Sequence, residues 1–325
     1  MNKILVTGGS GLLGNELIHQ LLQQGNAVTA IINKSPILIQ HPNLEIVSCD
    51  LLDVISLDDA MQGITNVYHC AGFVNFSKKN KELLYKLNTE ATSNLVNAAL
   101  RNNVQKLVHV SSIAAIGRTN DSEMITEEKK WTSHKSNSIY AQTKHLGEME
   151  VWRGVAEGLN AVIVNPSIIL GPGNWNEGST AIFKKVYEGL SWYSEGINGF
   201  VDVRDVANAM IQLMNASITA ERFILSGHNL SYKQVVFAIA GAFKVKRPSK
   251  KIKPLLAELV WRLEAIRTFF TRKEPLITKE TVHTAQSVSN YDNKKLTTAL
   301  SNFEYHSFED TINYTCAVLQ QNINK

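Results

Sequence analysis

Ile4-Leu5-Val6-Thr7-Gly8-Gly9-Ser10-Gly11-Leu12-Leu13-Gly14 is the stretch whose reading decides the fold. Ile4 to Val6 is a short apolar run, which predicts a buried strand. From Leu12 to Leu22 the apolar residues fall at 12, 13, 17, 18, 21 and 22, which is helical spacing. The glycines therefore sit between a strand and a helix. Two spacings overlap, Gly9-x-Gly11-x-x-Gly14 and Gly8-x-x-Gly11-x-x-Gly14. A diphosphate has to come within hydrogen-bonding distance of the backbone, and a Cβ at Gly8 or Gly11 would block it. Gly14 lets the helix pack closely on the sheet. The free N–H groups at the helix start then face the negative charge. Gly8, Ser10, Gly11, Leu12, Leu13 and Gly14 are the candidate phosphate cradle.

Outward from this turn, strand-like and helix-like segments alternate. Strands are expected at Ala27 to Ile32, Leu44 to Ser48, Asn66 to Cys70, Lys106 to Val110 and Leu159 to Val164. Helices are expected at Leu83 to Leu100 and Ser138 to Gly154. Alternating β and α units predict an α/β, doubly wound parallel sheet of the Rossmann kind, with ligands at the carboxyl ends of its strands. Gly8, Asp50, Ala71, Ser112 and Pro166 all follow a predicted strand, so one cleft can gather them. From about residue 166 the rhythm changes: Gly171-Pro172-Gly173-Asn174 is a turn cluster, and shorter pieces follow. The expected division is a dinucleotide-binding domain over 1–165 and a smaller substrate lobe over 166–325, partly interleaved with it. Within the second part, Val206 to Met214 reads as a helix and Arg222 to Leu225 as a late strand.

Composition bounds the class. The chain has 325 residues, 44% hydrophobic and 19% charged, with a net charge of +4. These values describe an ordinary globular protein and give no argument for nucleic acid. Cys49, Cys70 and Cys316 are widely spaced and odd in number, which predicts reduced thiols and a cytoplasmic location. No His/Cys cluster has zinc spacing, and no apolar run reaches the ~18 residues of a membrane span. Lys244 to Lys253 is basic, and the apolar residues at 255, 256, 259, 260, 263, 266, 269 and 270 read as an amphipathic helix. Packing on the chain's own core is the expected role of that helix; a membrane-surface contact or substrate lid is the other reading.

The second informative motif is Tyr140-x-x-x-Lys144, four residues apart in a helical pattern and so on one face. A free phenol titrates near ~10, and a neighbouring ammonium favours the phenolate. Such a pair can pass a proton to or from a carbonyl oxygen. Ser112, at a strand end, supplies a hydroxyl to position that oxygen. A second pair, Tyr291-x-x-x-Lys295, lies in a polar stretch outside the alternating region and is set aside.

Together, Thr7-Gly8-x-x-Gly11-x-x-Gly14, Ser111-Ser112 and Tyr140-x-x-x-Lys144 resemble the extended short-chain dehydrogenase/reductase family, over nearly the whole chain. The nearest likeness is to members similar to dihydroflavonol reductase. The resemblance implies a catalytic group of Ser112, Tyr140 and Lys144, with Ser112 preferred to Ser111 for its distance from Gly117. It implies further cofactor contacts at Asp50-Leu51 on the adenine edge, Ala71-Gly72 as a wall, Asn88 in the central helix and Pro166-Ser167 at the nicotinamide end. It also admits a homodimer.

An NAD enzyme usually ends its second strand in an acid that takes the ribose 2′-hydroxyl. This chain reads Ala30-Ile31-Ile32-Asn33-Lys34-Ser35, without an acid. Asn33 and Lys34 suit a 2′-phosphate, so NADP(H) is favoured and NAD(H) is the alternative. Dehydratases of the family carry an Asp-Glu pair after the active-site hydroxyl, where this chain has Ile113-Ala114. The expected activity is reduction of a ketone or aldehyde in a small-molecule substrate. A nucleotide-sugar epimerase is the first alternative, with Lys184, Lys185 or Arg222 as candidates for a diphosphate. A non-catalytic sensor of the cofactor's redox state is the second. Tyr187, Trp192 and Tyr193 are candidates for an apolar pocket or for packing.

Overall fold

The apolar runs found in the sequence become the strands of one sheet. The computed structural model describes residues 3–33, 35–117, 123–133, 137–253, 258, 261–262, 267 and 279–323. Strands β1 (Ile4–Thr7), β2 (Val28–Ile32), β3 (Leu44–Ser48), β4 (Asn66–His69) and β5 (Lys106–Val110) are joined by Ala161–Pro166 and Glu221–Leu225. All seven run parallel, in the order Glu221–Leu225, Ala161–Pro166, β5, β4, β1, β2, β3. In β1, β4, β5 and Ala161–Pro166 every residue is buried, as a parallel sheet covered on both faces requires.

The strand period of two divides each run between the faces. Ile4, Val6, Val108, Val110, Val162 and Val164 meet helix α1 (Leu12–Gln23) and the helix Val203–Asn215 on one side. Leu5, Leu107, Ala161 and Ile163 meet α2 (Val54–Met61) and the helices Ala91–Arg101 and Ile139–Ala156 on the other. The apolar stripe expected in α1 is the buried one: Leu13, Leu17, Ile18, Leu21 and Leu22. Chain beyond residue 166 thus supplies both the outermost strand and a helix of the large sheet.

The smaller lobe is built on a three-stranded sheet, Ile168–Leu170, Ile197–Asp202 and His228–Ser231. Its core gathers Phe183, Phe200, Val235, Ile239, Phe243 and Cys316. Residues 255–257, 259, 260, 263–266 and 268–270, most of the expected amphipathic helix, lie outside the described residues, as does Lys34.

One predicted helix is not regular. Leu83 to Leu100 read as continuous, but the chain forms Lys81–Tyr85, a π-helical turn at Lys86–Glu90, then Ala91–Arg101. The Ala91 N–H reaches back to the Lys86 carbonyl, an i to i−5 bond. The turn pushes the Asn88 carbonyl toward the neighbouring helix, where Gly147 makes room; a Cβ there would lie 2.3 Å from Asn88 O. The obstacle is backbone and cannot swing aside. Gly147→Ala is expected to lower unfolding stability by about 2 kcal/mol, read as a shift in the urea midpoint; an unchanged midpoint would show that the π turn yields freely.

Candidate active site

Helix α1 starts at Gly11, whose backbone is extended (φ −80°, ψ 167°) and offers no side-chain cap. The first-turn N–H groups therefore face the cleft without an internal acceptor from a capping side chain. The glycines before it have reasons beyond phosphate access. Gly8 has φ +72°, and a Cβ on it would sit 2.6 Å from Ala71 N. A Cβ on Gly14 would lie 2.2 Å from Gly8 O. The ends of β1 and β4 and the start of α1 thus close on one another through bare backbone. At Gly8 internal packing is a constraint that the sequence alone did not show; Gly11 is the open position, its Cβ meeting only Gly8 O at 3.3 Å. Ser10 and Leu12 flank this loop. Gly171 and Gly173 of the small lobe pack on Leu12, where a Cβ on either would come within 3.2 Å of Leu12 Cδ1.

Beneath the loop runs a buried chain of hydrogen bonds. Ala71 N donates to Thr7 Oγ1 at 3.2 Å, and Thr7 Oγ1 meets His69 Nδ1 at 2.7 Å. His69 Nε2 meets Thr92 Oγ1 at 3.1 Å, and Thr92 donates to Asn88 O at 2.9 Å. Since the Thr92 proton goes to a carbonyl, its oxygen accepts from His69, which fixes the Nε2–H tautomer. Burial, aided by the Lys144 charge, holds the His69 pKa down to about 3, so the ring is neutral.

Asn88 links the two walls of the cleft. Its Oδ1 accepts from Phe73 N at 2.7 Å, and its Nδ2 donates to Phe73 O at 3.0 Å and Thr143 Oγ1 at 3.1 Å. Thr143 in turn donates to the Tyr140 carbonyl at 2.9 Å. The Ala71-Gly72-Phe73 segment is thereby fixed to the helix that carries Tyr140 and Lys144.

That helix begins at Ser138, whose Oγ accepts from Ala141 N at 2.8 Å. Tyr140 is half-buried, hydrogen-bonded with Ser112, and edge-on to Phe76 at 5.6 Å. Lys144 is 5% exposed and donates to Val110 O at 2.7 Å. A Cβ on Gly72 would lie 3.6 Å from its Nζ, so the ammonium stands beside the Ala71-Gly72 wall. Burial lowers the Lys144 pKa to about 8, while Glu148 and Cys70 work to hold it up. The Tyr140 phenol is pushed up by burial, and the opposing influence is the Ser112 hydrogen bond. The expected depression of the phenol by Lys144 is therefore not what this geometry gives.

Ser112 caps the short helix Ile113–Ile116, its Oγ accepting from Ala114 N at 3.1 Å. Ser111 is turned away and donates to Glu148 Oε2 at 2.8 Å, which separates the roles of the two serines. Glu148 is fully buried. It also receives Asn165 Nδ2 at 2.8 Å and Arg222 Nη1 at 3.0 Å, and Asn165 donates to Ser112 O at 3.0 Å. Sequence reading did not find Glu148 or Thr143, nor the bonds that Asn165 makes. Glu148 had a signal: it stands one helical turn beyond Lys144.

The remaining candidates line the same edge of the sheet. Asn33 is exposed at the end of β2. Asp50 Oδ1 accepts from Leu52 N, and Leu51 O accepts from Asn94. Pro166 ends its strand, and Ser167 is buried, bonded through its N–H to Leu225 O at 2.9 Å. Tyr187, Trp192 and Tyr193 lie on the small lobe: Tyr187 against Trp175 and Phe243, Tyr193 against Phe237, and Trp192 under Lys250, with Tyr187 and Trp192 exposed. No group of metal-ligating side chains occurs among the described residues.

A parallel sheet with a glycine turn after its first strand, Ser112 just past the end of β5, and Tyr140 and Lys144 on the helix beside it defines a Rossmann-type nucleotide-cofactor protein. Residues 4–225 match the model of the NAD dependent epimerase/dehydratase family. The chain belongs to that family, within the extended short-chain dehydrogenases/reductases. It is 28% identical over 297 residues to sterol demethylase protein B of Methylococcus capsulatus, covering 90% of each chain. It is 31% identical over 242 residues to a Synechocystis sp. protein named for dihydroflavonol 4-reductase, covering 71% of this chain and 69% of that one. Among solved structures, gox2253 superposes with a TM-score of 0.85 at 26% identity, over 99% of each chain.

The Lys144 shift gives a stability prediction. Its folded pKa of about 8 lies below the ordinary 10.5, so the burial cost is fully present below pH 8 and is released as pH rises toward 10.5. From pH 7.5 to 9.5 the unfolding free energy of the parent relative to Lys144→Met should rise by about 2 kcal/mol, measured by urea titration at each pH. A flat difference would mean that the ammonium is not desolvated.

Proposed function

We propose that the chain is an NADP(H)-dependent oxidoreductase that reduces a ketone or aldehyde, with Tyr140 as the proton donor. The observation that supports this reading most is the hydrogen bond between the Tyr140 phenol and the Ser112 hydroxyl at the end of β5, with the Lys144 ammonium, carried by the Tyr140 helix, bonded to Val110 O of the same strand and standing beside the Ala71-Gly72 wall. The uncapped start of α1 at Gly11 and the open space over Gly11 suit a dinucleotide's diphosphate. Asp50-Leu51 would border the adenine, Asn33 and Lys34 a 2′-phosphate, Lys144 a ribose hydroxyl, and Pro166-Ser167 the nicotinamide end. A bound nicotinamide cofactor supplies the hydride.

The chain's own residues handle the proton. Ser112 Oγ orients the substrate oxygen, and Tyr140 hands its proton to that oxygen as the carbonyl carbon is reduced. Burial keeps Tyr140 protonated and ready to donate. The Ser112 hydrogen bond, which opposes the effect of burial on the phenol, would stabilise the phenolate left behind.

Reduction is favoured over epimerisation by what surrounds the cleft. Arg222, a candidate for a nucleotide-sugar diphosphate, is bound to Glu148 and to the carbonyls of Glu127 and Lys129. Lys184 is held by Asn176 at 2.7 Å and Glu188 at 3.6 Å. Beside Tyr140 stands Phe76, 39% exposed, and Val74 nearby in the chain is also exposed. This wall suits an apolar carbonyl compound better than a sugar diphosphate. Retention of all three reacting groups argues against a sensor, which needs only the glycine loop.

Tyr140→Phe should lower turnover by about 10²–10⁴-fold with cofactor affinity nearly unchanged; unaltered turnover refutes the assignment. Fluorescence titration should show NADPH binding more tightly than NADH, and a tenfold preference for NADH reverses the reading of Asn33 and Lys34. Net consumption of reduced cofactor with ketones or aldehydes marks a reductase; product from nucleotide sugars without net consumption marks an epimerase.

A further inference from the structure

The small lobe carries a surface that the proposed reaction does not use. Strand Lys250–Lys251 runs parallel to Trp192–Tyr193, in the register Lys250 to Trp192 and Lys251 to Tyr193. Lys250 Nζ sits 5.3 Å over the Trp192 ring. Lys233 Nζ sits 5.4 Å over Tyr193 and 5.6 Å over Phe237, and the Arg247 guanidinium 5.8 Å over Phe237. Tyr193 and Phe237 meet edge to face at 5.5 Å. An open groove beside them is lined by Leu230, Lys233, Phe237, Ala238, Arg247 and Phe308. Trp192 is 40% exposed.

The charge on this face is mostly of one sign. Residues 244–253 hold Lys244, Lys246, Arg247, Lys250, Lys251 and Lys253 and no acid, and all six cations are exposed. Lys233 adds a seventh. Among the described residues Glu195 is the one acid paired with any of them, through Lys251. A chain of net charge +4 thus concentrates more positive charge here than it carries in total.

Two chemistries therefore share one surface: a dense set of cations, and aromatic and aliphatic groups set among them. Cations alone would suit any polyanion. The groove of Leu230, Ala238, Phe237 and Phe308 offers little to a phosphodiester backbone, but it suits the boundary between lipid headgroups and acyl chains. Trp and Phe are favoured at that boundary, and Lys and Arg reach from it to anionic headgroups. We propose that this face docks peripherally on an anionic lipid bilayer. No helix among the described residues is long and apolar enough to cross a membrane. Docking would bring the enzyme to carbonyl compounds dissolved in lipid. That use rests on the reductase reading, whereas the docking rests on the surface alone.

The test is co-sedimentation of the full chain with vesicles, independent of any activity. Vesicles of phosphatidylcholine with a quarter phosphatidylglycerol should bind it. Binding should be lost in pure phosphatidylcholine and at 0.5 M salt, where screening is short-ranged. Each cation near the surface contributes roughly fivefold, so Lys246→Ala/Arg247→Ala/Lys250→Ala should weaken binding by roughly 100-fold. Its urea midpoint and NADPH titration should match the parent, which separates lost docking from lost folding. Trp192→Ala should weaken vesicle binding while leaving the salt dependence intact. No binding of the parent to anionic vesicles overturns the proposal. Equal binding by the folded triple variant overturns the assignment to this face. Tighter binding to a single-stranded RNA than to the vesicles identifies a general polyanion surface and overturns the lipid assignment. A panel assay that finds no reductase activity leaves docking standing and removes only its suggested use.

Discussion

Seven strands that all run the same way must all leave the sheet at the same edge. This constraint places Gly8, Ala71, Ser111-Ser112 and Pro166 together, although as many as 158 residues separate them in the chain. A parallel sheet needs helices on both faces, so its strands are apolar throughout and its polar groups collect where the strands end. The close approach of Gly8 to Ala71 and of Gly14 to Gly8 locks the first two of these ends together. The helix start at Gly11 then faces outward over the cleft.

Electrostatics decides what this edge can do. Lys144 sits in a buried position that costs it part of its affinity for a proton, yet it remains charged near neutrality. Glu148, one turn along the helix, opposes that loss and is itself held by Arg222, Asn165 and Ser111. Such a buried acid is tolerable because each of its oxygens receives donors. Through Asn165 the same acid reaches the Ser112 backbone, so the hydroxyl and the ammonium are referred to one fixed point. The neutral His69 places no competing charge beside Lys144.

The π turn at Lys86–Glu90 shows how the fold holds the site's shape. Its extra residue aims Asn88 at Phe73 and Thr143 together, joining the wall after β4 to the Tyr140 helix. The geometry requires Gly147 opposite it. Loss of regular helix in the centre of the molecule therefore gives a cross-link between the two sides of the cleft.

Much of this was legible in the chain. The glycine turn, the alternation of apolar strands with amphipathic helices, and the Tyr140-Lys144 spacing all depend on neighbours within a few residues, and local periodicity reports such relations directly. The partners of Ser112 and Lys144 were not legible in this way. Glu148 with Arg222, Asn165 with Ser112, and Asn88 with Phe73 are pairs whose members meet only after the strands align. The reason for Gly8 was also hidden, because the obstacle is the Ala71 backbone from a distant strand. The use of Arg222 inside the protein, and not at a ligand, depended on strand Glu221–Leu225 taking the sheet edge beside Ala161–Pro166. The sequence by itself determined which segments would be strands and helices and which residue types carry the chemistry, because those follow from short-range pattern. Only the tertiary structure decided which polar groups are spent on one another, because that depends on strand order and register, which local pattern does not encode.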